Sequence, residues 1–161
     1  AVPTSRETLL THVAEAGRIR LRSAREIAAG RYPGPEGADM AIDPKGADLK
    51  KFFQADDGKP IVMLNLLRFR EDGGRERYAE YARATGPFLA KVGGEMLYFG
   101  AGHEALVAEP GQAWDAVLLV RYPSRKAFLS MVADPEYQKV TGIRTSALSE
   151  AVLQPTTPFF G

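Results

Sequence analysis

The sequence predicts an α+β domain: a four-stranded antiparallel sheet with two helical segments on one face, preceded by a helical arm. Three observations predict it. Residues 61–69 are almost continuously apolar, as in a central strand covered on both faces. Residues 78–92 place apolar and aromatic side chains at i, i+3, i+4 and i+7, the repeat of a buried helix face. Two further apolar runs, a second helical pattern and a last short run follow, giving the order β-α-β-β-α-β.

Taken in order, Leu9, Leu10, Val13, Ala16, Leu21, Ala24, Ile27 and Ala28 recur near a 3.6 period and read as one long or two short helices. Thr4 or Ser5 is the N-cap, Gly17 the interruption, and Gly30 with Pro33 the stop. The Pro/Gly-rich stretch 32–37 is a linker, so residues 1–40 form an arm and 41–161 the domain. Asp43-Pro44 is expected to start a short helix burying Leu49, Phe52 and Phe53. The strand 61–69 turns at 71–74 into a helix that Pro87 should kink and Gly93-Gly94 should end. A strand is expected over 95–99, interrupted at Gly100 and Gly102 and resumed over 104–108. Pro110-Gly111 turns the chain into a returning strand over 114–122. Ser124 then caps one helix, and Asp134 with Pro135 at the first helical position begins another. Residues 151–153 read as the last strand. This is the ferredoxin-like arrangement.

Composition excludes more than it proposes. The 161 residues favour one domain, and 45 % hydrophobic with 25 % charged residues rules out wholesale disorder. No cysteine means no disulfide, thiolate nucleophile or cysteine metal site; two histidines cannot make a three-histidine zinc site. No apolar run approaches the ~20 residues of a membrane span. The net charge of +1 points to no nucleic-acid or membrane partner. It divides into +3 over residues 1–32, six arginines against three glutamates, and −2 over the rest. A basic arm on an acidic domain favours docking on the domain or on a partner subunit. The first thirty residues contain no signal-peptide core, and Ala1-Val2-Pro3 is also compatible with a processed start. With cysteine absent, the cytoplasm is the expected location.

Two helices cover only one face of such a sheet. If Val62, Leu64 and Leu66 face the helices, Met63, Leu67 and Phe69 are left on the other face. A second copy packed sheet to sheet would cover that face, so a homodimer is expected; the arm is the alternative cover.

The segment 60–69, the tyrosine-rich helix, Gly93-Gly94, Trp114-Asp115, Tyr122-Pro123-Ser124 and Asp134-Pro135-Glu136-Tyr137-Gln138 with Arg144 resemble one family. It is the family of domain of unknown function 1330, in the dimeric α+β-barrel superfamily. The resemblance covers residues 58–155 and leaves the arm outside. It implies a dimer enclosing a barrel, with a small-molecule cavity between sheet and helices. Superfamily relatives include cofactor-independent monooxygenases, isomerases and haem enzymes, so the fold does not carry a reaction.

Asn65 is an amide in the middle of an apolar strand, suited to orienting a substrate carbonyl or oxyanion. It could equally be a core residue bonded to backbone. His103 is the natural general base, or else a solvated loop residue beside Glu104. A haem would need His103 as its ligand, and nothing else asks for haem; no cofactor is expected. Arg144, on the stripe of Val140, Ile143, Ala147 and Leu148, could hold a carboxylate or simply brace the helix. Arg121 has the same two readings. Tyr81, Tyr98, Trp114 and Tyr122 supply amphipathic rings for a ligand, a core or an interface. No GxGxxG, Walker A, GxSxG, HExxH or EF-hand loop is present. Two functions remain: a cofactor-independent enzyme on a small carbonyl or carboxylate metabolite, with Asn65 and His103 catalytic, or a non-catalytic ligand-binding or structural dimer.

Overall fold

The computed structural model describes residues 41–159, and the arm expected over 1–40 lies outside the described residues. The elements are α1 (Gly46–Gln54), β1 (Ile61–Phe69), α2 (Gly74–Lys91), β2 (Glu95–Ala101), β3 (Ala116–Tyr122), α3 (Arg125–Val132), α4 (Pro135–Ala147) and β4 (Leu148–Thr156). The strands form one antiparallel sheet in the order β2-β3-β1-β4, so β1 pairs on both sides. This is an α+β, ferredoxin-like fold. No helix among the described residues is long and apolar enough to cross a membrane.

Local chemistry explains the boundaries. At the end of α2, the Gly94 amide donates to the Leu89 carbonyl and the Gly93 amide to Ala90, with Gly93 at φ +72°. That pair of bonds closes a helix through a left-handed residue, which glycine adopts without strain. The Ser124 hydroxyl accepts from the Ala127 amide, and the Asp134 carboxylate from the Glu136 amide. The helix α2 runs through Pro87. The short helix α1 begins after Lys45 with no side-chain cap; the Asp43 carboxylate is bound to α4 instead.

Two readings are corrected. The face of β1 that meets the helices carries Ile61, Met63, Asn65 and Leu67, all buried, while Val62, Leu64 and Leu66 are half-buried on the opposite face. The cause is Arg68, which shares the even-numbered face and needs water or polar partners. Its guanidinium pairs with Glu150 at 2.7 Å, donates to the carbonyls of Gly111 and Ala113, and lies over the Trp114 ring. The strand expected over 104–108 is absent. The β2–β3 ladder ends at Ala101↔Ala116, with the Gly102 amide closing on Asp115, and beyond it no strand remains to pair with. Leu106 and Val107 are fully exposed there.

The core lies between the odd-numbered face of the sheet and the helices. One cluster joins Ile61, Met63, Leu118 and Val120 to Phe128, Leu129 and Tyr137; a second joins Leu67, Tyr78, Ala147 and Leu148. The helices α2 and α4 pack together over the sheet, and Gly74 sets how closely, because a Cβ there would strike the Ala147 carbonyl.

Candidate functional site

Helical spacing brings polar side chains into this layer. On α2, Tyr78, Tyr81 and Thr85 are separated by three and four residues and share one face. On α4, Tyr137, Thr141 and Arg144 are separated by four and three and do the same. The two polar stripes face each other above Asn65 of β1. Between them is a cavity of about 120 Å³, lined by all six of these side chains, Asn65, Tyr122 and an apolar frame including Met63, Leu118, Val120 and Met131. The segment before α1 contributes Asp43 and Pro44.

The polar contacts are specific. The Tyr81 and Tyr137 hydroxyls share a hydrogen bond at 2.8 Å. Arg144 is buried, and its Nη1 donates to the Ile42 carbonyl at 2.7 Å and to Asp43 Oδ1 at 3.0 Å. The other Asp43 oxygen accepts from the Thr145 hydroxyl at 2.8 Å. Arg144 Nη2, equally buried, has no hydrogen-bond partner among the described residues. Asn65 Nδ2 makes long bonds to the carbonyls of Met63 (3.3 Å) and Leu118 (3.5 Å), and among the described residues no donor reaches its Oδ1. A buried donor left unpaired costs stability, so the Arg144 edge is the least explained polar group of the core.

Burial also fixes the protonation of the phenols. Loss of hydration pushes the Tyr78 hydroxyl up to about 12, opposed by the Arg144 charge and assisted by Tyr137. Burial, then Tyr137, holds Tyr81 well above the ordinary phenol range, and burial raises Tyr122 likewise. These hydroxyls are therefore protonated at neutral pH and able to donate hydrogen bonds.

Of the residues singled out from sequence, Asn65, Tyr81, Tyr122 and Arg144 line this cavity. His103 does not: it is exposed in the loop after β2, outside the lining. Arg121 pairs with Glu95 at 2.6 Å in solvent, on the sheet face away from the helices. Tyr98 is exposed on the edge strand, packed across Gly100. Trp114 precedes β3 and stacks under Arg68. Sequence reasoning missed Tyr78, Tyr137, Thr141 and Asp43 as site residues. The first three were accessible as polar groups recurring inside a buried helical stripe. A second hollow of about 220 Å³ involves Lys91 and Asp134, which pair with each other at 2.8 Å.

The family described as domain of unknown function 1330 matches residues 72–154. A crystal structure of a protein of unknown function from Rhodopseudomonas palustris is 32% identical, covers 76% of this chain and 100% of its own, and superposes with a TM-score of 0.71. A dimeric ferredoxin-like protein of unknown function from Jannaschia sp. CCS1 is 13% identical, with 62% and 99% coverage and a TM-score of 0.48. The hydroxynitrile lyase from Passiflora edulis is 12% identical, with 62% and 93% coverage and a TM-score of 0.49. No curated protein shows significant similarity to the chain.

Proposed function

The chain belongs to the family of domain of unknown function 1330, and we propose that it takes a compact carbonyl- or carboxylate-bearing metabolite into the cavity beneath its sheet. The observation that carries this reading is the unpaired, buried Nη2 of Arg144 beside the linked Tyr81 and Tyr137 hydroxyls. Donors set in an apolar frame are what an oxygen-bearing ligand needs for orientation. Cavities of about 150 Å³ take up benzene, so this one suits a body of roughly six heavy atoms. The reaction class is cofactor-independent and monooxygenase- or isomerase-like. Arg144 anchors or polarises the ligand oxygen, Asn65 orients it, and the tyrosine pair supplies a proton or hydrogen bond to developing negative charge. His103, exposed in its loop, has no part in this scheme.

A non-catalytic binding role is the second reading. It is favoured by the character of the lining, which is rich in donors while its single carboxylate among the described residues, Asp43, is engaged by Arg144 and Thr145. The test is a metabolite screen on the full chain by thermal shift, followed by mass spectrometry of the bound fraction. A ligand that stabilises the protein, is lost in Asn65→Leu and Arg144→Met, and returns altered supports the enzyme. The same ligand returned unchanged supports the binder, and retention in both variants refutes the site.

We also propose that a second copy covers the other sheet face, where Val62, Leu64, Leu66, Val117, Leu119 and Val152 form a continuous apolar patch. Sedimentation of a Leu64→Lys, Leu119→Glu variant should then show a monomer where the natural chain is a dimer. A natural chain that sediments as a monomer refutes it.

A further inference from the structure

The polar groups of the cavity divide into those already used and those still open. Tyr81 and Tyr137 are bonded to each other, Thr85 donates to the Tyr81 carbonyl, and Thr141 donates to the Gln138 carbonyl. Three polar atoms of the lining have no hydrogen-bond partner among the described residues: the hydroxyls of Tyr78 and Tyr122 and Oδ1 of Asn65. Unlike Arg144 Nη2, none of the three is sealed inside the protein. Asn65 is only 7% exposed and Tyr78 2%, so the opening these atoms keep is the cavity itself. The Asn65 amide can turn only one way. Its Nδ2 faces the carbonyl oxygens of Met63 and Leu118, at 3.3 and 3.5 Å. With the amide reversed, Oδ1 would face two other oxygens with no hydrogen between them. Oδ1 is therefore the corner directed into the cavity. Phe99, Leu118 and Asn65 share one rung of the sheet, and the Tyr78 ring lies 6.1 Å from that of Phe99, so a phenol stands beside the same rung. An open acceptor and an open donor thus meet the same small, largely apolar space.

We infer that the ligand of this cavity is a hydroxylated carbonyl compound, whose hydroxyl donates to Asn65 Oδ1 and whose carbonyl accepts from the Tyr78 hydroxyl. The inference rests on the cavity's being a ligand site and narrows what that ligand is. A plain ketone, ester or carboxylate carries acceptors only; it satisfies the phenol and leaves Oδ1 without a hydrogen. Water supplies that hydrogen when no ligand is bound, and a guest that displaces water without replacing its bond loses affinity. A hydroxyl replaces it. Asn65 is therefore the specificity-determining residue, because it distinguishes a hydroxyl from a methyl group at the same place.

The experiment titrates two pairs of size-matched probes into the full chain: 3-hydroxybutan-2-one against 3-methylbutan-2-one, and 4-hydroxybutan-2-one against pentan-2-one. Within each pair only a hydroxyl and a methyl group are exchanged. Binding is followed by NMR on the backbone amides of Leu118 and Thr141, two residues of the lining. The natural chain should bind the hydroxylated member of at least one pair about tenfold more tightly than its methyl counterpart. Asn65→Leu removes the acceptor at similar volume and should reduce that preference to less than about twofold. Preferences below about threefold in both pairs overturn the inference and leave the cavity a ligand site; this arm needs no variant to fold. A preference that survives Asn65→Leu also overturns it. If no probe shifts Leu118 or Thr141, the ligand-site reading fails and the inference with it.

Discussion

Replacing Arg144 by Met removes the charge from the buried layer while keeping a stem of similar length. Two charge-assisted hydrogen bonds are lost, to the Ile42 carbonyl at 2.7 Å and to Asp43 at 3.0 Å. At about 1.5–3 kcal/mol each, their loss costs roughly 3–6 kcal/mol. The substitution also removes the unpaired Nη2, whose burial costs the native fold roughly 1–3 kcal/mol. Taking the middle of each range, the expected net destabilisation is about 2.5 kcal/mol, or a Tm fall of about 10 °C for a domain of this size. Asp43→Asn keeps the acceptor and the Thr145 contact, so it should cost about 1 kcal/mol. Because the two substitutions remove one shared interaction, the double variant should fall short of their sum by about 1–2 kcal/mol. Urea unfolding of the full chain, followed by circular dichroism, measures all four corners of the cycle. A variant Arg144→Met within about 0.5 kcal/mol of the natural chain, or strict additivity, would show that the pair does not hold the segment before α1 to α4.

Tyr81→Phe and Tyr137→Phe should each destabilise by about 1–2 kcal/mol, and together by less than the sum, because both remove the bond they share; thermal melts showing a double cost equal to the sum refute this. Buried phenols with raised pKa values make stability fall with alkali. The unfolded chain loses its phenol protons near pH 10, whereas Tyr78 holds its own to about 12. Stability is thus complete below about pH 10 and declines as pH rises towards 12; a free energy of unfolding that stays flat from pH 9 to about 11.5 contradicts it. Gly74→Ala drives a Cβ into the Ala147 carbonyl and should cost about 2 kcal/mol or more. Gly142→Ala, on the exposed side of α4 with nothing within 4 Å, should stabilise by about 0.5–1 kcal/mol. Equal melting points for these two variants would refute the packing argument.

What was legible in the sequence was local. Ser124, Asp134 and Gly93 act on amides or carbonyls within a few residues of themselves, so the helix boundaries could be read directly. The inward face of β1 was harder because both of its alternating sets are apolar, and the deciding residue is Arg68, at the strand's far end. Residues 104–108 have the composition of a strand, but pairing is a property of two segments, and β3 does not extend to meet them. The site divides in the same way. Asn65 and Arg144 stand out as polar residues among apolar neighbours. His103, Arg121, Tyr98 and Trp114 are suitable residue types on the wrong side or end of the sheet, which composition does not encode. Asp43 meets Arg144 across 101 positions, and an ion pair of that reach has no sequence signature.

The position of β1 in the middle of the sheet also bears on how the protein is made. Both β3 and β4 pair with it, and the bond from the Thr156 hydroxyl to the Val62 carbonyl spans 94 residues. Closing so long a loop costs chain entropy before any contact repays it, which slows folding. During synthesis the early strand must wait, one edge unpaired, until the final strand leaves the ribosome. Arg144 arrives almost as late, so the cavity and the completed sheet form in the same last step. Segment 72–154, by which the family is recognised, excludes β1. Expressed alone, it would be left with a β2–β3 ribbon and an isolated β4, two edges open to aggregation.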